Sequence, residues 1–96
     1  LDLQERAALE AALAESNMNI IRFQIPQSAG GALESSREIV TEAIVTYGSL
    51  GAKIGNAQVL FAQGDVAYNQ QSYLVAYDFY RRAYQNLTST AQGVLR

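Results

Sequence analysis

The sequence predicts an all-α fold, either a four-helix up-down bundle or two stacked tetratricopeptide-like helical hairpins, and three observations carry that expectation. Proline occurs once and glycine seven times in 96 residues, and abundant Ala, Leu, Gln and Glu favour helix by propensity. Apolar residues recur at three-, four- and seven-residue intervals in four separate stretches. Short polar or glycine-bearing breaks divide those stretches, which makes successive helices antiparallel neighbours. With 49% hydrophobic residues, the chain suits one domain, residues 1–96, built around one core.

The first helix is expected over residues 2–24, opened by Asp2 and carrying Leu9, Leu13, Ile20 and Phe23 at helical intervals. Near its end Ile21, Phe23 and Ile25 alternate with Arg22 and Gln24, a pattern that a short strand shares. Helix is preferred, because a lone strand has no partner strand elsewhere to satisfy its backbone. Pro26 ends the element, and residues 27–31, with Gly30 and Gly31, form a flexible connection. The second helix, residues 32–47, sets Leu33, Val40, Ile44 and Tyr47 on one face and Glu34, Glu38 and Glu42 in a ridge expected to face water. Ser35 followed by Glu38 offers a capping-box alternative for its start. Residues 48–51 break the pattern, and a third helix, residues 52–69, turns Ile54, Ala57, Phe61 and Tyr68 inward. A fourth helix follows over residues 72–92.

Residues 60–83, LFAQGDVAYNQQSYLVAYDFYRRA, organise the rest. Leu60, Gly64 and Tyr68 share a face of the third helix, and Tyr73, Ala76, Tyr80 and Ala83 share a face of the fourth. Gly64 and Ala76 are small enough to mark the closest approach of the two axes, with Tyr80 filling the space beside them. Asn69, Gln70, Gln71 and Ser72 make the turn, and Ser72 is placed to cap the fourth helix.

On Leu60, Gly64, Tyr73, Ala76, Tyr80 and Ala83 this hairpin resembles a single tetratricopeptide repeat. It departs from that pattern at Ala67, with Tyr68 beside it, and at Thr88 in the place of the closing proline. More broadly, residues 35–92 resemble α-helical tail domains of secreted bacterial proteins, through Ala57, Gln58, Gly64 and Asp65 and the spacing of Tyr73, Ala76, Tyr80 and Ala83. That resemblance implies an extracytoplasmic setting, secreted or periplasmic, and no particular chemistry. A chain that starts at Leu1 rather than Met fits removal of a leader, or a fragment.

Composition narrows the function classes. A net charge of −2 and the lack of a basic stripe argue against nucleic acid, and no apolar run approaches the ~20 residues that span a bilayer. Only 17% of residues are charged, against roughly 25% in ordinary soluble proteins, so the surface is cheap to desolvate and suits assembly. Residues 1–48 carry a balance of −4 and residues 49–96 a balance of +2. Either the two halves neutralise each other within one molecule, or molecules associate head to tail.

Catalysis has little to work with: no His, no Cys and one Lys, which removes the commonest general base and the commonest activated nucleophile. The chain is therefore expected not to be an enzyme and to carry no cofactor. No metal is expected either, since thiolate ligands and the Glu-x-x-His motif of di-metal bundles are both missing. Tyrosine is the notable residue, with five of six between positions 68 and 84. Tyr77 and Tyr84 flank Arg81 in a strip of the residue types enriched at interface hot spots. It reads as a partner-binding surface, or as rings partly buried against the first helix. Asn86-Leu87-Thr88 matches a glycosylation sequon but lies inside an expected helix. The function expected is a non-catalytic protein-interaction or structural module of a larger extracytoplasmic or filamentous assembly; the alternative is a small-ligand-binding bundle with an aromatic pocket.

Overall fold

A computed structural model describes residues 3–14 and 32–95. Among these described residues there are four helices, α1 (Leu3–Ala14), α2 (Ala32–Ser49), α3 (Gly55–Asn69) and α4 (Tyr73–Leu95), and no strand. The fold is an all-α helical bundle. The expected continuation of the first helix through residues 15–24, the strand-like alternation within it, Pro26 and the glycine pair at 30 and 31 all lie outside the described residues. Ser35 is inside α2, so the helix starts upstream of the capping-box alternative.

Both described connections end their helices in the same way. After α2, Gly51 takes φ +89°, its N–H bonds to the Gly48 carbonyl at 3.1 Å, and the Ala52 N–H reaches back to the Tyr47 carbonyl at 3.0 Å. After α3, Gln71 takes φ +62°, its N–H bonds to Tyr68 at 3.0 Å, and the Ser72 N–H reaches Ala67 at 2.9 Å. This paired return is the Schellman arrangement, which satisfies carbonyls that the helix end leaves open. Glycine enters the left-handed region freely, whereas Gln71 does so against the steric preference of a side chain. Because Ala52 is occupied in closing α2, α3 begins at Gly55 rather than at Ala52. Gly48 remains within α2, where Ile54 folds back over it: an added Cβ at Gly48 would meet the Ile54 Cδ1 at 3.0 Å.

Helix α4 is the centre of the molecule. It pairs with α3 as an antiparallel hairpin and also packs against α2 and α1, while α1 lies on both α2 and α4. Leu13, Leu33, Ile39, Val40, Ala57, Ala67, Ala76, Tyr77, Tyr80, Ala83 and Leu87 form one buried cluster. Helix α2 packs chiefly on α4 and meets α3 only along an edge, although sequential neighbours were expected to pack directly. The reason is chemical: α2 turns Leu33, Ile39 and Val40 into the core, whereas the side chains it sends across to α3 are polar.

The close approach within the hairpin differs in detail from expectation. Gly64 is buried, and a Cβ built on it would lie 2.6 and 2.7 Å from Cε1 and Cδ1 of Tyr80 and 3.2 Å from the Phe79 Cβ. Thus the Tyr80 ring, rather than Ala76, lies against Gly64. Ala76 is fully buried in the shared core one turn nearer the connection.

Candidate functional site: the polar seam and the outer face of the hairpin

Along the edge between α2 and α3 runs a polar seam anchored by Asp65. Arg37 donates to it as a two-pronged fork, Nε to Oδ1 at 2.8 Å and Nη2 to Oδ2 at 2.9 Å, and the Tyr80 hydroxyl donates to the same Oδ1 from beneath. The Arg37 guanidinium also lies over the Phe61 ring, 4.9 Å from its centroid, and Phe61 packs on Tyr80 with centroids 5.4 Å apart. The bond from Arg37 holds the Asp65 carboxyl below its usual range against the opposing cost of desolvation, and the Tyr80 hydroxyl helps. One turn along, the Tyr68 hydroxyl donates to Glu34 Oε2 at 2.6 Å, which pushes the Tyr68 phenol up, and the ring meets Tyr73 edge-on.

Glu34, Arg37, Asp65 and Tyr68 line an open groove of about 550 Å³ with Glu38, Thr41 and Asn69. Its arginine and aspartate neutralise one another. The glutamate ridge, expected to be wholly solvated, is only partly so: Glu38 and Glu42 are exposed, but Glu34 is half-buried and Glu42 accepts from Arg6 Nη2 at 2.7 Å. The seam locks α2 to the hairpin.

The tyrosine strip is not on the surface. Tyr77 is 0% exposed, Arg81 is buried with its Nη2 on Asp78 Oδ1 at 2.7 Å, and Tyr84 is half-buried in a groove lined also by Arg6, Ile39 and Tyr47. The expectation of a partner-facing strip is corrected at Tyr77 and Arg81, which are buried because α4 has neighbours on three sides, whereas Tyr84 stays half-buried. Its buried surface includes the stripe through Ala76, Tyr80, Ala83 and Leu87 and the adjoining one through Tyr77 and Arg81. The Tyr77 hydroxyl is buried without a hydrogen-bond partner, and burial pushes both it and the Tyr84 phenol above the usual tyrosine value. Leu60, Gly64, Tyr73, Ala76, Tyr80 and Ala83 all lie buried or half-buried in the hairpin, as their spacing requires. Asn86 stands on continuous helix with its Oδ1 buried, which makes the sequon a poor glycan acceptor.

The accessible apolar surface lies elsewhere, on the outer side of the hairpin. Val59 and Val66 of α3 are 59% and 56% exposed, and Val75 of α4 is 51% exposed. With Gln63, Ala67, Gln70 and Phe79, Val66 and Val75 border an open groove of about 300 Å³ whose lining carries no charge. Arg82, exposed, covers the Phe79 ring at 5.3 Å. Sequence reasoning missed this face, although Val59 and Val66 stand seven apart on the side of α3 away from the stripe of Leu60 and Gly64, a second apolar stripe that a fully covered helix shows. Among the described residues no helix is long and apolar enough to cross a membrane. No family model, curated protein or solved structure matches the chain.

Proposed function

We propose that the chain is a non-catalytic protein-interaction or structural module, a subunit of a larger extracytoplasmic or filamentous assembly, which engages protein through the outer face of its tetratricopeptide-like hairpin. The observation that carries this reading is the groove of Val66, Val75 and Phe79, whose lining carries no charge, with Val59 exposed on the same helix as Val66. Scattered exposed valines are ordinary, but contiguous apolar surface rimmed by amides marks an interaction site. Two features of the polar seam agree with a structural role: Arg37 and Asp65 are paired with one another, and the aromatic rings near it pack on one another rather than lining an enclosed pocket.

Photo-cross-linking tests the reading. A photoreactive residue at Val66 is expected to form adducts with protein in the native assembly, while the same residue at Ala7, exposed on α1, forms few. Equal labelling from both positions, or none from Val66, removes the hairpin face as the binding surface.

A further inference from the structure

The two halves of the chain differ in net charge, and the ion pair that joins α2 to α3 does not reconcile them. It takes Arg37 from the acidic half and Asp65 from the basic half, so the imbalance between the remaining charges of each half grows. Arg6 pairs with Glu10 and Glu42 inside the acidic half. Arg82 is exposed over an aromatic ring rather than on an acid.

A face with the opposite character stands on α2. Glu38, Thr41, Glu42 and Val45 are exposed there, Val45 at 65%. Glu38 and Val45 are seven positions apart, two helical turns on one face, or about 10.5 Å at 1.5 Å per residue. On α4, Val75 and Arg82 are also seven positions apart. One helix therefore offers an apolar residue with a base two turns on, and the other an apolar residue with an acid two turns back. The two patterns coincide when the helices run antiparallel.

We infer that the outer hairpin face receives α2 of a second copy of this chain, antiparallel to α4, with Val45 seated against Val75 and Phe79 and Glu38 facing Arg82. This deepens the proposed function and rests on it. The two faces are different patches of one molecule, so the contact is heterologous, and each added copy presents both faces again unless the rotation closes a ring. Association is steered by charge that salt screens over about 8–10 Å at physiological strength.

A charge exchange tests it, read by sedimentation velocity over a concentration series at low and high salt. The wild type is expected to associate with rising concentration, and less so in high salt. Arg82→Glu alone and Glu38→Arg alone each set like charges opposite one another and are expected to weaken association about tenfold or more at low salt. Mixed in equal amounts, the two variants pair Glu with Arg at every contact, and association returns. Circular dichroism confirms that each variant is folded; should Arg82→Glu unfold, Val75→Asp and Val45→Lys each set a charge against a valine when alone, and when mixed pair Asp with Lys at one contact and restore the wild-type valine pair at the other. A wild type that stays monomeric at every concentration, single variants that associate like the wild type, or a mixture no better than its components each overturns the inference. None of these touches the cross-linking result, so a Val66 adduct to a different protein leaves the proposed function standing while the second copy falls.

Discussion

Gly64→Leu is expected to lower stability by about 3 kcal/mol or more, beyond the 1–3 kcal/mol typical of an overpacked core. Even one added carbon at this position falls 2.6 Å from the Tyr80 ring, and that ring cannot swing aside cheaply. Its hydroxyl is held by Asp65, its face packs on Phe61, and the residue is fully buried. Gly64→Ala separates the two effects at work. Alanine gains about 1 kcal/mol over glycine as a helix former, yet its methyl group must displace the ring, so a net loss is expected where an open helical site would show a gain. Chemical denaturation of both variants measures this. An alanine variant as stable as the parent, or more so, would show that the ring yields and that the contact is not tight.

Alkali is expected to unfold the protein cooperatively. Burial pushes the phenols of Tyr77 and Tyr80 above the ordinary tyrosine value, and in Tyr80 the bond to Asp65 acts in the same direction. With the folded pKa raised, the unfolded chain gives up these protons first. Their stabilisation is complete below about pH 10 and is lost as pH rises from there through the folded values. Each such tyrosine contributes a slope of about 1.4 kcal/mol per pH unit, hence roughly 3 kcal/mol per unit for the two. Tyr77→Phe removes one titration and also a buried hydroxyl that lacks a partner. That variant is expected to be about 1–3 kcal/mol more stable at neutral pH, with an alkaline slope shallower by about 1.4 kcal/mol per pH unit. Tyr80→Phe, which strips a donor from Asp65, is expected to be less stable at neutral pH. Tyrosinate absorbance that rises smoothly from pH 10 while helical circular dichroism persists would show that both rings ionise in place.

What was legible in the sequence was whatever depends on near neighbours. The hairpin could be read because Leu60, Gly64, Tyr73, Ala76, Tyr80 and Ala83 fall at helical intervals on either side of a polar turn. The stop at residues 48–51 was visible for the same reason, since Gly51 supplies the positive φ that ends α2. Tyr77 and Arg81 were misplaced because one buried stripe was assumed for α4; how many neighbours a helix has is not encoded in its own periodicity. Likewise Arg37 and Asp65 are 28 positions apart, and the pairing of particular charges on separate helices follows from packing that no local pattern records. The left-handed turn at Gln71 was also hidden, since glutamine carries none of the signal that glycine gives.

The connection between α3 and α4 also bears on the order in which the molecule assembles. Three residues, 70–72, separate the two helices, while the contact of α1 with α4 brings the Gln85 amide to the Leu13 carbonyl across 72 positions. Closing a chain segment costs entropy that grows with the logarithm of its length, so the hairpin can form before distant contacts repay their loop. The folding nucleus is then expected to consist of α3 and α4, with α1 docking on the downhill side of the barrier. In kinetic terms, Ala83→Gly should slow folding, whereas Leu13→Ala should chiefly hasten unfolding. If Leu13→Ala slowed folding as much as Ala83→Gly, the barrier would have to include the long-range contact, and α1 would be part of what the chain must find first.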